Sequence, residues 1–383
     1  LTANQLIMSI YNHVAILPKE MWPKGFRING HIAIDGEKMS KSTGNFITVD
    51  HMLEKYGADV TRLVLANASS EPIADTNYNS TGKKDSEDDL PTIDATISGT
   101  NKLFDMYQWI DVTLPKIKEY RNDYMNFFDK VFINQINEII NNTIRNMDRM
   151  LFHEAVNQSF HNMIAMRNKY IEYAGDDVHQ TSIKHFIDTF IRLNVPFVPH
   201  LCEYCYQKMC PGTGKSVRFL KYPDMVDTDA NIERQSKFVQ MVIDKIENCK
   251  KMWFRKQKKT KDDLKQITIA FGNDRSEWQT YVMSKIDHVA SISGKNVGEM
   301  IREMKTINQT LQQDAKLKEF KLNFKKDVQK FTLNYIKNHE MYKFDKFALV
   351  TSIIQQLQNM LNVNVIVEFK DGVDPMSPYI VCE

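Results

Sequence analysis

Apolar residues recur at helical spacing from the start of the chain. Leu6, Ile10, Val14 and Leu17 share one face of residues 1–17, and Thr2 and Gln5 stand at capping-box spacing. Residues 18–29 hold two prolines and a glycine and read as a loop. Residues 30–35 (GHIAID) are short and β-branched, which predicts a strand, and 36–44 follow as loop. Residues 46–56 predict a helix, opened by Thr48 and Asp50 and closed by Gly57, with a second short helix over 58–68. Residues 79–91 are polar and aperiodic, a surface loop or disordered insert. Long helical patterns then run from about 96 to 209. One ends at Gly175, and another, over 181–209, should kink at Pro196 and Pro199. Short connections between such helices predict a bundle. A further helical stretch over 231–256 leads into a basic run, and residues 266–271 and 363–369 alternate as strands do. The last third therefore reads as a separate α+β region.

Length and composition narrow the classes. A chain of 383 residues suggests two to three domains. Fifty basic against 48 acidic residues leave a net charge of +2, so no uniform cationic coat is present and any RNA contact must be local. The 21 Phe, 15 Tyr and 4 Trp exclude wholesale disorder. Five cysteines exclude a disulfide scaffold and suggest a reducing compartment. There is no apolar run of membrane-spanning length and no recognisable leader, so a cytoplasmic protein is expected. A chain that opens on a helix without a start residue is also expected to be part of something longer.

The chemistry concentrates in residues 35–46, DGEKMSKSTGNF. Lys38 and Lys41 lie three apart among glycines and hydroxyl residues, after a strand and before a helix. Small residues leave backbone N–H groups accessible, and Gly36 and Gly44 can act as hinges. Two ammonium groups on such a loop can close over a polyphosphate and neutralise charge that builds up in nucleotidyl transfer. Ser40, Ser42 and Thr43 add hydroxyl donors. Two lysines alone would describe a solvated basic turn.

The complete string Lys38-Met39-Ser40-Lys41-Ser42 resembles the signature loop of class I aminoacyl-tRNA synthetases. Residues 29–69 around it resemble the leucyl-tRNA synthetases of the eukaryotic cytosolic and archaeal type. Residues 195–203 (VPFVPHLCE) resemble the last bundle helix of that family, and 272–286 its C-terminal extension. The resemblance implies a mostly α chain. Residues 1–43 would end a Rossmann-type catalytic domain, 44–95 would form a connecting module carrying the 79–91 insert, 96–228 an anticodon-binding bundle, and 229–383 a truncated α+β extension. It implies ATP-dependent leucine activation and transfer to tRNA(Leu), with ATP as its Mg²⁺ complex. Lys41 would contact the phosphates most directly, Lys38 would assist, and Met39, Ser40 and Ser42 would shape the loop. The family's other ATP signature, its leucine pocket and its editing domain lie upstream of this loop and do not occur in these residues. Alone, the chain is expected neither to aminoacylate nor to edit. The alternatives are a non-catalytic tRNA-binding or scaffold module, or the isoleucyl or valyl counterpart.

Other features carry less. Residues 250–261 hold seven basic residues and no acid, interleaved with Trp253 and Phe254, a footprint of RNA contact. Lys250, Lys251, Arg255, Lys256, Lys258, Lys259 and Lys261 are thus candidate tRNA-binding residues. Asp59 and Arg62, three apart on a helix, suggest a local ion pair more than RNA contact. In 316–330, Leu317, Phe320, Phe324 and Val328 predict one amphipathic helix with a solvated charged face. Cys202 and Cys205 predict buried packing rather than a zinc site, since no second paired cluster exists, and no metal is expected. Residues 212–216 (GTGKS) mimic a phosphate loop, but Met209 stands where its first glycine belongs and Pro211 breaks the context.

Overall fold

The computed structural model describes residues 5–26, 28, 30–40, 42, 44–68, 75–81, 92–257, 263–272, 277–293, 302, 304–320, 322–337, 344–370, 373 and 378–383. The capping-box pair at Thr2 and most of the 79–91 insert lie outside them. The chain divides into two compact units: Leu1–Asn122, Ile136–Asn168 and His179–Asp227 form the first, and Asp123–Gln135, Lys169–Val178 and Thr228–Glu383 the second.

The first unit opens with helix α1 (Ile7–Ile16), in which no residue is buried. Of the predicted apolar face, Ile10 and Val14 are exposed and Leu6 and Leu17 are half-buried. Strands β1 (Ile32–Ile34) and β2 (Glu37–Lys38) follow, then α2 (Val49–Ala66) and β3 (Thr76–Tyr78). The sheet order is β2-β1-β3, with β1 antiparallel to β2 and parallel to β3. Parallel neighbours need a crossover, and α2 supplies it. Thr48 caps α2 by accepting the His51 N–H. Gly57, at φ 78° and ψ 169°, splits it into the two predicted helices, a conformation that favours glycine. Met52, Val60, Leu63 and Val64 form its buried face.

Strands β4 (Ser80–Thr81) and β5 (Thr92–Ile93) pair antiparallel. Helices α3 (Asp94–Lys116), α4 (Phe127–Asp148), α5 (Phe152–Val156), α6 (Met163–Ala174), α7 (Gln180–Asn194) and α8 (Pro199–Met209) succeed one another. The pattern over 181–209 is broken rather than kinked. Residues 195–198 leave the helix, and Pro199 restarts it at its first turn, where a missing N–H costs nothing. Between α5 and α6 the chain makes a π-helical turn over Asn157–Asn162. The fully buried Asn194 repairs that turn: its amide donates to Ser159 O at 2.8 Å and Phe190 O at 2.9 Å and accepts from Ser159 Oγ at 3.0 Å.

The second unit contains α9 (Ala230–Gln257), β6 (Gln266–Phe271), α10 (Glu277–Ser293), α11 (Met304–Gln313), α12 (Ala315–Glu319), α13 (Lys330–Lys337), α14 (Lys346–Ser352), α15 (Ile354–Leu361), β7 (Asn364–Phe369) and β8 (Tyr379–Cys382). The order β7-β6-β8 puts β6 in the middle, parallel to β7 and antiparallel to β8. Its last five residues are buried, as a central strand covered on both faces requires. Ile267, Ile269 and Phe271 join Phe238, Val242, Ile246 and Trp253 of α9 in one apolar core. Phe127, Phe128 and Tyr173 also pack into it, and Tyr173 Oη donates to Gln240 Oε1 at 2.9 Å. This is why 123–135 and 169–178 group with 228–383 rather than with the rest of the predicted 96–228 bundle. A second core gathers Val282, Ile286, Ile307, Leu311, Leu317, Val328 and Tyr335. The single helix predicted over 316–330 is two pieces, because Asn323 caps a new π-helical turn at Phe324–Gln329 by accepting the Lys326 N–H.

Candidate functional site

Residues 35–40, with Asn45, are held by more hydrogen bonds than a simple loop. Asp35 and Gly36 have φ of 53° and 82° and join the paired residues Ile34 and Glu37. Two left-handed residues between paired strands make a type I′ hairpin, for which Asp-Gly is a favoured sequence. The tip is strapped to the neighbouring segment. The Asp35 carboxylate accepts from Ser80 N at 2.8 Å and Ser80 Oγ at 2.5 Å, bonds that hold its pKa below the ordinary carboxylate value. Gly36 N donates to Asn77 Oδ1 at 2.7 Å.

Past the hairpin, Met39 N donates to Ile32 O at 3.0 Å. The loop is then drawn together by Ser40 N donating to Asn45 O, also at 3.0 Å. Asn45 Nδ2 reaches across the hairpin to Glu37 O at 3.1 Å and Ile34 O at 3.3 Å. Ser40 Oγ lies 2.7 Å from Ser42 Oγ and accepts from Ser42 N at 3.3 Å. Gly44 takes φ 70° to allow the return. Lys38 and Ser42 are exposed, while Met39 and Ser40 are half-buried. Lys41 and Thr43 lie outside the described residues. Nothing in the residue pattern singles out Asn45, which fastens both sides of this turn.

Asp59 and Arg62 form no pair with each other and instead hold the 196–201 segment. Asp59 accepts from the backbone N–H of Leu201 at 2.7 Å and of His200 at 3.1 Å, at the N-terminus of α8. Arg62 donates to Pro196 O at 2.5 Å and Phe197 O at 3.3 Å. The carboxylate meets the free N–H groups of a helix start, and the guanidinium meets carbonyls.

The basic run divides. Trp253 is buried in the core of the second unit and Phe254 packs beside it, so the predicted aromatic interleaving does not face solvent as a stacking platform. Lys250 is largely buried and paired with Glu247 at 2.8 Å. Lys251 and Arg255 are exposed. The Lys256 side chain and Lys258, Lys259 and Lys261 lie outside the described residues. Cys202 and Cys205 are fully buried, and burial raises both thiol pKa values, Cys205 to about 12. Residues 212–216 are the loop leaving α8: Glu203 accepts from Ser216 Oγ and Val217 N, both at 2.8 Å. Among the described residues no cluster of His, Cys, Asp and Glu could hold a metal ion, and no helix is long and apolar enough to cross a membrane.

Comparison with known proteins matches the hairpin-loop region and the helical region separately. Residues 11–81 match the family of tRNA synthetases class I (C), catalytic domain, and residues 129–269 match the anticodon-binding domain of tRNA ligase. The chain thus belongs among the class I tRNA synthetases. Within that class its relatives are leucine–tRNA ligases, and it is a leucyl-tRNA synthetase-derived protein. The cytoplasmic leucine–tRNA ligase of Neurospora crassa is 29% identical over 299 residues, covering 76% of this chain and 25% of that protein. A Schizosaccharomyces pombe protein described as a putative cytoplasmic leucine–tRNA ligase is 30% identical over 330 residues, covering 81% and 28%. The leucine–tRNA ligase of the archaeon Archaeoglobus fulgidus is 24% identical over 371 residues, covering 96% and 34%. The chain spans about a quarter to a third of the length of these relatives.

Proposed function

We propose that this chain supplies the phosphate-contacting loop and the tRNA-docking helices of a cytoplasmic leucine–tRNA ligase, which activates leucine with ATP and transfers it to tRNA(Leu). The observation that carries the reading is the loop itself. A hairpin pinned at Asp35 presents Lys38 to solvent, and the Ser40–Asn45 closure holds the following turn to the same hairpin. Lys41 and Lys38 neutralise charge on the triphosphate, which arrives as its Mg²⁺ complex, as pyrophosphate leaves. Ser40 and Ser42 shape the turn, and Met39 seats it against the strand. Positive charge that acts mainly in the transition state raises the rate without holding ground-state ATP tightly. Residues 1–43 close the catalytic domain, 44–95 connect it to the helices, 96–228 dock the tRNA, and 229–383 extend that contact. Lys251 and Arg255, with the neighbouring basic residues up to Lys261, meet RNA backbone.

The test is leucine-dependent ATP–pyrophosphate exchange by the native protein that carries this chain. Lys41→Ala should lower the exchange rate by about 10²-fold or more, with a much smaller change in the KM for ATP. Lys38→Ala should lower it less. An unchanged rate in Lys41→Ala would sink the assignment. Loss of exchange in the native protein together with retained, tRNA(Leu)-selective binding would favour the non-catalytic tRNA-binding reading.

A further inference from the structure

The second unit contains two thiols in direct contact. Cys249 lies on α9 and Cys382 on β8, 133 residues away in sequence, with their sulfurs 3.0 Å apart and the Cys382 thiol donating to Cys249 Sγ. Neither belongs to the loop or the basic run. Both are reduced in this structure. Cys382 is buried at the edge of the β6 core, and Cys249 packs against the same core while staying partly accessible. The remaining cysteines differ. Cys202 and Cys205 share one helix and are fully buried, and Cys210 sits at that helix's end.

We propose that Cys249 and Cys382 are a redox pair that a hydroperoxide closes into a disulfide and that thiol reductants reopen. The accessible Cys249 thiolate attacks the peroxide oxygen. The O–O bond breaks, an alcohol or water leaves, and Cys249 becomes a sulfenic acid. Cys382 Sγ then attacks the Cys249 sulfur as its proton passes to the sulfenic oxygen, the S–O bond breaks, and water leaves. Two thiols and one hydroperoxide give one disulfide, one alcohol (or water) and one water, and two electrons pass from sulfur to oxygen. Cys249 is the more accessible of the two and so makes the first attack, while burial raises the Cys382 thiol to about 12, so that it reacts only as its proton is passed on to the leaving oxygen. The bond would tie β8, an outer strand of its sheet, to α9. This inference stands apart from the ligase reading.

The experiment treats the folded chain with a few equivalents of hydrogen peroxide, blocks remaining thiols with N-ethylmaleimide under denaturing conditions, and measures intact mass and a non-reducing peptide map. The expected product has lost two hydrogens and two alkylation sites and yields a cross-linked peptide joining residues 249 and 382. Dithiothreitol restores both thiols. Cys249→Ser and Cys382→Ser, each checked for native circular dichroism, should both lack the product. Phenylarsine oxide, which bridges only adjacent thiols, gives an oxidant-free check: one equivalent should bind the parent and neither variant. A peroxide-treated chain whose Cys249 is over-oxidised while Cys382 is still alkylated overturns the proposal. So does arsenical binding that survives in both variants.

Discussion

Asp59 offers a test of how the first unit is held together. Its carboxylate takes two N–H groups at the start of α8, and Arg62, one turn away on α2, takes two carbonyls just before that helix. Removing the carboxylate strands two donors that no other side chain reaches here. Loss of a helix cap costs about 0.5–2 kcal/mol, and a hydrogen bond to a charged group is worth about 1.5–3 kcal/mol. Since one of the two bonds is solvent-exposed, Asp59→Ala should cost about 2 kcal/mol. In a unit of about 200 residues that lowers Tm by roughly 4–8 °C. Arg62→Ala should cost about 1–2 kcal/mol. Both side chains fasten the same six-residue segment, so the double variant should lose less than the sum, with a coupling of about 1 kcal/mol.

The assay is urea unfolding followed by circular dichroism, with the denaturant slope unchanged so that midpoints report stability. An Asp59→Ala variant within about 0.3 kcal/mol of the parent, or strict additivity in the double variant, would refute the clamp. RNA binding separates this role from direct contact. At a temperature where Arg62→Ala is folded, its affinity for tRNA should stay within about twofold of the parent. A tenfold loss would mean that the guanidinium meets RNA instead of carbonyls.

Asn45→Ala removes two side-chain donations across the hairpin and should speed amide exchange over 37–45 with a global cost of about 1 kcal/mol. His161 is half-buried beside Lys102 and His153, and burial first, then those two neighbours, pushes its pKa down to about 4. The unfolded chain protonates this group near 6.5, so the folded state binds fewer protons between the two values. Stability should therefore fall as pH drops from about 6.5 towards 4, by about 2 kcal/mol after allowance for solvent screening, and His161→Gln should flatten that part of the curve. Binding of tRNA should weaken steeply with salt. Lys251→Ala and Arg255→Ala should each lower the log–log slope by about 1, whereas Lys250→Ala, already paired with Glu247, should change it less.

The elements most legible in the sequence were those with a local signal. Gly57 closed one helix and opened the next, Gly175 ended α6, and the alternation in 266–271 and 363–369 found both parallel strands. The strand predicted over 30–35 is present as β1, but its hairpin partner β2 is only two residues long, too short for periodicity to register, and residues 36–44 read as loop although Asp35-Gly36 carries a local turn signal. β8 was missed because four residues near Pro378 carry little pattern, and its place depends on pairing with β6 over a hundred residues earlier. The grouping of 123–135 with the second unit was illegible for a related reason. Helical periodicity tells which face of α4 is apolar and says nothing about which core receives it.

Trp253 shows the same limit at a candidate RNA-binding segment. Basic residues beside aromatics suggest stacking on bases, yet the ring lies on the face of α9 that completes the β6 core. Composition cannot separate the two uses, because a helix needs apolar residues on one face for packing whatever its other face does. What the described part of the basic run offers to solvent is charge at Lys251 and Arg255. Charge without stacking tracks the phosphate backbone and carries no base information. If Lys251 and Arg255 meet RNA as proposed, they would add affinity rather than choice, and a preference for one tRNA would come from the shape of the docked RNA or from other residues.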